Sequence, residues 1–349
     1  MTTRYLEVLK FAQPKEIFHV EGLGNREHWE RLFNWHAFLK PEPPPHLKEV
    51  SRKMIAACQG LPLSLEVMGA HLYGHNYKSY WDESLRSLQQ DGKGIFSVLS
   101  LSLMGLESKQ REAFLDICCF LIGEKEEIAC RVLEACYGYG RTYLDVLKSR
   151  CLITIDVDCG RRENRMIMYM KGEEEWDMEL YDHLLRDVGK RMMGEEEVSV
   201  IGMHDHLRDM GRDIVRRTER NRVWDKESLE DILKDEKALS RLRGISIRSD
   251  FPFSKEAGKC RSLPALKILK VKQRLSPPRA NWKNIFKNNF LENVQCNELR
   301  WLDWKKARFR CLPDGLCSKN LRVLDLSQSH NQEPPYQTCE SWTFVGAVA

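Results

Sequence analysis

Val198-Ser-Val-Ile-Gly202-Met203-His204-Asp205-His-Leu-Arg-Asp-Met-Gly-Arg-Asp-Ile-Val215 runs from a short β-branched segment straight into an amphipathic helix with His204 and Asp205 at its mouth. The first backbone N–H groups of such a helix are unpaired and carry partial positive charge, so the mouth suits either a side-chain cap or an anion. Taken alone, the His-Asp pair reads as a cap, with Asp205 satisfying an orphan N–H. The surroundings extend that reading. Upstream, Cys151-Leu-Ile-Thr-Ile155 has the composition of a second strand, and helical patterns at 108–121, 128–136 and 143–150 precede it. Two strands beside three helices, followed by the His204 helix, describe a winged helix over residues 106–236 with a wing enlarged by a charged insert at 158–197. The insert contains Leu180-Tyr-Asp-His-Leu-Leu-Arg-Asp-Val-Gly-Lys-Arg-Met192, a near echo of the His204 helix that reads as local duplication. The first of the three helices opens on Ser108 as a candidate cap. Its run Phe114-Leu-Asp-Ile-Cys-Cys-Phe120 gives a broad apolar stripe of Phe114, Leu115, Ile117, Cys118 and Leu121, as in a central core helix.

Further upstream, Met1-Thr-Thr-Arg4 and Ile17-Phe-His-Val20 read as short extended runs. A helix is expected over 26–38, with Trp29, Leu32, Phe33 and Ala37 on one face, ending before Pro41-Glu-Pro-Pro-Pro45 because proline cannot continue it. The next helix places Leu47, Val50, Met54, Ile55 and Cys58 at helical spacing. It stops at Gly60, which can take a left-handed conformation, and Pro62 sits where a following helix tolerates proline, at its first position. Gly60-Leu-Pro-Leu63 is thus a tight helix–turn–helix joint that presents a flat imino ring, either as a structural turn or as a cover for a nucleobase. Helical patterns at 81–88 and 95–103 complete a helical subdomain over 41–105, with 1–40 as the tail of a preceding domain.

Beyond residue 237 the periodicity changes. Leu242-Arg-Gly-Ile-Ser-Ile247, Leu266-Lys-Ile-Leu-Lys-Val271, Leu299-Arg-Trp-Leu-Asp-Trp304 and Leu321-Arg-Val-Leu-Asp-Leu326 fit L-x-x-L-x-L, with starts 24, 33 and 22 residues apart. Those intervals lie in or near the leucine-rich-repeat range. The reading is an incipient α/β solenoid over 237–330, followed by an irregular tail, 331–349. Charge changes at the same place. Residues 1–236 hold about 34 Lys/Arg and 42 Asp/Glu, and residues 237–332 about 21 and 7. A basic module of this kind can attract an acidic partner, the acidic remainder of its own chain, or nucleic acid, or it is simply a solvated face.

A chain of 349 residues with 42% hydrophobic content can bury a substantial core, and its length suits two or three domains. The N-terminal sequence has no apolar h-region, and no apolar run reaches the roughly 18 residues of a bilayer span, so a soluble, intracellular protein is expected. The 12 cysteines are scattered, without paired C-x-x-C at zinc spacing, which argues against a metal cluster and a disulfide framework.

Taken together these segments resemble the plant intracellular nucleotide-binding leucine-rich-repeat immune receptors of the Toll/interleukin-receptor-like (TIR) class, over about residues 1–330. Thr2-Thr3-Arg4 resembles their nucleotide-sensing motif, Leu32-Phe33 with Ala37-Phe38 the following helix signature, Gly60-Leu-Pro-Leu63 the GLPL joint, Phe114–Phe120 the FLDIACF segment, and Met203-His204-Asp205 the MHD motif. The resemblance implies a mainly α chain: an NB-ARC helical subdomain, a winged helix and the start of a repeat solenoid. It also implies a defence-signalling switch in which Pro62 packs on adenine, His204 reaches the β-phosphate of ADP, Arg4 senses the γ-phosphate of ATP, and Asp205 orients His204 or caps its helix. Exchange of ADP for ATP would remove the tie made by His204 and favour opening, while the repeats restrain the closed state. Implied partners are a pathogen effector or guarded host protein and other receptor chains, in the cytoplasm or nucleus, with no membrane and no nucleic acid.

The sequence departs from that family in lacking G-x-x-x-x-G-K-[ST], the acidic Mg²⁺-holding strand and a TIR domain. It is therefore expected to be a truncated receptor chain that binds ADP negligibly by itself, with no catalytic residues and no metal. Two other classes are weighed. A winged-helix nucleic-acid binder has the basic C-terminal third in its favour, but Asp205, Asp209 and Asp213 on the recognition helix oppose phosphate. A metal-dependent hydrolase would need His204, His206 and Asp205 to converge, whereas i and i+2 positions on a helix point apart.

Overall fold

The computed structural model describes residues 25–90, 95–158, 198–248, 262–272, 294–305 and 314–326. Arg4, the two early extended runs, the insert beyond Asp158 with its echo segment, and the 331–349 tail lie outside the described residues. The chain is mainly helical with a small parallel sheet, and it divides into two compact units, Met1–Leu106 and Glu107–Ala349.

In the first unit, α1 (Arg26–Phe38) is capped by Asn25, whose side chain accepts from the Glu27 N–H at 3.0 Å, and it closes on Leu39 in the left-handed region. A 3₁₀ turn (Pro45–Leu47) leads into α2 (Lys48–Ala57), and α3 (Pro62–Leu72), α4 (Lys78–Gln90) and α5 (Ile95–Met104) follow. Pro62 occupies the first turn of α3, where its missing N–H costs nothing. Phe33, Leu47, Met54, Leu65, Met68 and Trp81 are fully buried together. Helices α1 and α3 approach so closely that a Cβ on Gly69 would lie 2.9 Å from the Phe33 carbonyl oxygen. The Gly60 joint is equally constrained: its φ is +70°, and a Cβ there would meet the Trp29 ring at 2.2 Å. Gly60→Ala is accordingly expected to destabilise this unit by about 2 kcal/mol, from left-handed backbone strain and the displaced indole. A change under half a kcal/mol in the unfolding free energy from denaturant titration would show that Trp29 does not rest on the turn.

The second unit opens with α6 (Ser108–Asp116), which continues as a π-helical turn (Ile117–Leu121), then α7 (Glu126–Tyr137) and α8 (Gly140–Ser149). The cap of α6 is Glu107, one residue before the expected Ser108. The Gln110 side chain accepts from the Glu107 N–H at 3.1 Å, a reciprocal box that a serine at the first helical position cannot make. Strands β1 (Thr154–Asp158) and β2 (Val198–Gly202) pair antiparallel from Thr154↔Gly202 to Asp158↔Val198. The first strand starts three residues after the expected Cys151, because Cys151 takes φ 56° to turn the chain out of α8 and leaves Leu152 and Ile153 to bury themselves in the turn. Next come α9 (Asp205–Ile214), a π turn (Val215–Glu219), β3 (Arg222–Val223), α10 (Lys226–Ile232), α11 (Glu236–Arg241), β4 (Gly244–Arg248), β5 (Ile268–Lys272), β6 (Trp301–Asp303) and β7 (Val323–Asp325).

Strands β3 to β7 form one parallel sheet in chain order. The register aligns Gly244, Ile268, Trp301 and Val323, each two residues after the first leucine of an L-x-x-L-x-L run. Equivalent leucine positions therefore stack: Leu242, Leu266 and Leu299 in one row, Ile245, Leu269 and Leu302 in a second, Ile247, Val271 and Trp304 in a third, all buried in one core. The sheet begins before residue 237, since β3 pairs with β4 through Arg222↔Gly244. Its other face is covered at Gly244 by Phe120, whose ring lies 2.4 Å from where a Cβ would stand.

Candidate functional site

Helix α9 builds the mouth that the sequence singles out. His204 is itself the N-cap, with extended backbone (φ −65°, ψ 139°), and its Nδ1 accepts from the His206 backbone N–H at 3.1 Å. A neutral imidazole accepting at Nδ1 carries its proton on Nε2, so the exposed ring presents Nε2–H as a donor at the positive end of the helix. The rings of His204 and His206 stack, with centroids 5.3 Å apart and planes 20° apart. The expectation that i and i+2 side chains point apart fails here because His204 stands outside the helix. The cap is thus His204 and not Asp205, whose carboxylate lies 2.8 Å from the Arg208 guanidinium, one turn along. His204→Ala is expected to cost about 1 kcal/mol through loss of the cap, with His204→Asn close to wild type. Amide exchange at His206 checks this, and equal protection in both variants would refute the capping role.

The mouth is fixed from beneath. Cys118 donates to the Met203 sulfur at 3.6 Å and to the Leu207 carbonyl at 3.9 Å, while Arg212 Nε donates to the Cys118 carbonyl at 3.0 Å. Gly211 is the contact point, since a Cβ there would lie 2.4 Å from Cys118 Sγ. The motif around His204 and the Phe114–Phe120 run are thus one packed junction. Burial pushes the Cys118 thiol well above its ordinary range and the Cys119 thiol up to about 12, so both act as small core residues and not as nucleophiles.

A second cluster in the same unit escaped the sequence reading. The fully buried Arg222 guanidinium donates to Asp116 (2.6 Å), Glu112 (2.8 Å) and Glu219 (3.3 Å). Tyr137 O–H donates to Asp116, and Arg243 donates to Glu112 and to the Tyr137 oxygen. Burial opposes charge on Arg222, but Asp116 and its other acidic neighbours outweigh it and hold the guanidinium protonated. Asp116 inside an apolar run was the available signal, since a charge on a buried stripe demands a partner. Among the partners open to the basic C-terminal module, the described residues supply one: acids of its own chain, through Arg243–Glu112 and Lys270–Glu124.

Pro62 stands exposed at the start of α3 in the other unit, and Arg4 lies outside the described residues. Among the described residues no three His, Cys, Asp or Glu side chains are grouped to hold a metal, and no helix is long and apolar enough to cross a membrane.

The chain is similar to plant TIR-NB-LRR disease resistance proteins, which are its curated homologues at 22–33% identity. Among them are disease resistance protein RPP2B of Arabidopsis thaliana, 27% identical over 319 residues (89% of this chain, 23% of that protein). Disease resistance protein RUN1 of Vitis rotundifolia is 28% identical over 254 residues (71% and 16%), and TMV resistance protein N of Nicotiana glutinosa 28% over 252 (70% and 18%). The chain thus spans less than a quarter of the length of these relatives. No family model matches it.

Proposed function

We propose that this chain acts in plant innate immunity as a portion of a nucleotide-linked defence switch. In this reading residues 106–236 are a winged helix and the β4–β7 units the first leucine-rich repeats. The observation that carries the reading is the similarity to disease resistance proteins along 70–89% of the chain in three relatives. The in-register stacking of the L-x-x-L-x-L rows supports the repeat assignment, because each unit buries its apolar face only against its neighbours. His204 suits a phosphate oxygen, as a neutral donor at a helix N-terminus. By the same resemblance Pro62 and Arg4 are the adenine and γ-phosphate contacts, and the partners are proteins in the cytoplasm or nucleus.

Nucleotide affinity in this chain alone is proposed to be negligible. Two charge-assisted bonds from His204 and Arg4 give about 3–6 kcal/mol, against an association cost of at least about 4 kcal/mol. No phosphate-cradling glycine loop is present in the sequence to supply more. Titration of the purified chain with fluorescent ADP is the test. Saturation in the micromolar range would overturn the weak-binding proposal, and a His204→Ala chain that bound equally well would remove His204 from the contact. The nucleic-acid alternative is disfavoured because Asp205 and Asp209 pair with Arg208, and Asp213 with Arg217. A salt-dependent gel shift would restore it.

A further inference from the structure

Where the Gly123–Glu124 turn meets the sheet, three carboxylates share two lysines. Lys270 pairs with Glu124 and lies 3.5 Å from Asp303, while Lys305 lies 3.3 Å from Asp325, 3.8 Å from Glu124 and 4.0 Å from Asp303. Lys270 Nζ also donates to the Phe120 carbonyl at 3.4 Å, so its ammonium is divided between the helical segment and the strands. Asp303 is the most buried member, 3% exposed at the end of β6 between β5 and β7, against 11% for Glu124 and 21% for Asp325. It has no ion partner closer than the 3.5 Å contact to Lys270 among the described residues. An ionised carboxylate in that position is desolvated and only partly compensated.

We propose that this cluster is a proton-sensitive clasp, in which Asp303 takes up a proton to tighten the Gly123–Glu124 turn onto strands β5–β7 and releases it as that packing loosens. The physical ground is the inequality of environments: with the turn lifted, Asp303 regains water and ionises freely, so the closed arrangement binds the proton more tightly. Burial pushes its carboxyl up to about 6, with Lys270 and Lys305 pulling it down and Glu124 and Asp325 pushing it further up. The other cations of the neighbourhood are Lys272 and Arg212. Lys272 is held below its ordinary value by burial, then by Lys270 and Arg212. Because the folded value of this acid is raised, the stabilisation is fully present below the ordinary carboxylate range and is lost as pH rises through about 6.

Amide exchange of the 349-residue chain between pH 5 and 7, normalised to the chemical rate, tests the clasp in peptides covering 118–126 and 299–305. Protection is expected to fall roughly tenfold across that interval in wild type and to stay flat in Asp303→Asn. A Lys305→Met chain, which loses one compensating charge at a half-exposed position, is expected to move the loss to higher pH. Identical profiles in wild type and Asp303→Asn, protection that rises with pH in wild type, or an unmoved profile in Lys305→Met would each overturn the proposal.

Discussion

An Arg222→Ala chain is expected to lose about 3–5 kcal/mol from the unit spanning Glu107–Ala349, the scale of removing one partner from a buried ionic network. The reason lies in what remains. Asp116 is 3% exposed and, among the described residues, keeps the Tyr137 hydroxyl, while Glu112 retains Arg243. A carboxylate left so deep protonates or draws in water, and either response loosens the hold of α6 on β3. Lysine is a poor substitute, because one ammonium cannot span Asp116, Glu112 and Glu219 as the guanidinium fork does. Replacing both Arg222 and Asp116 by leucine should recover part of the loss, since neither charge is then stranded. Urea unfolding followed by the near-ultraviolet signal checks both statements. A single-variant loss under 1 kcal/mol, or a double variant weaker than the sum of the singles, would show that the network is not desolvated as described. The functional corollary is positional. The π-helical turn that continues α6 carries Cys118, Cys118 donates to Met203, and Met203 precedes His204, so slackening at Arg222 is expected to reach the mouth of α9.

Trp81→Ala is the counterpart in the first unit, with an expected cost of about 3–5 kcal/mol. The ring is fully buried, meets Phe33 edge-on at 6.1 Å and stacks on Phe38 at 5.4 Å with planes 4° apart. Its Nε1–H donates to the His75 carbonyl at 2.7 Å. Alanine would leave a void beneath α1 and strip that carbonyl of its donor. Phenylalanine would keep most of the apolar contact and lose only the hydrogen bond, about 1–2 kcal/mol. The two variants therefore separate packing from polarity: equal losses would mean that the hydrogen bond, and not the ring, holds α4 in place. Phe33 and Phe38 come from the helix signature noted in the sequence, so the signature is a packing device as much as a family mark.

Much of the local structure was legible from residue pattern. Pro62 at the head of α3, Gly60 in the left-handed turn before it and the stripe of α6 follow from steric rules that act within one turn of chain. The L-x-x-L-x-L runs predicted strands, and their rows stack in register because a side-chain period of two leaves one alignment that buries every leucine position. Local rules misplaced two ends. Residue type points to Ser108 as the cap, whereas Glu107 takes that place through the Gln110 side chain; composition extends the strand to Cys151, whereas its positive φ excludes it.

The sequence by itself placed helices α1 to α9 and the repeat strands β4 to β7 to within a few residues, but not β3, α10 or α11, and it brought Arg4, Pro62, His204 and Asp205 forward as residues of one family pattern. Only the tertiary structure decided what each charge does. Asp116 and Arg222 are 106 positions apart, Glu124 and Lys270 are 146 apart, and no periodicity links them. Pairing between such residues is set by which faces pack, because desolvation makes a buried charge bond to whatever partner the fold delivers. His204 shows the same division on a smaller scale. Its residue type and place were plain in the chain, but that it caps α9, and so turns Nε2–H outward, depended on the backbone angle at which strand β2 hands over to the helix.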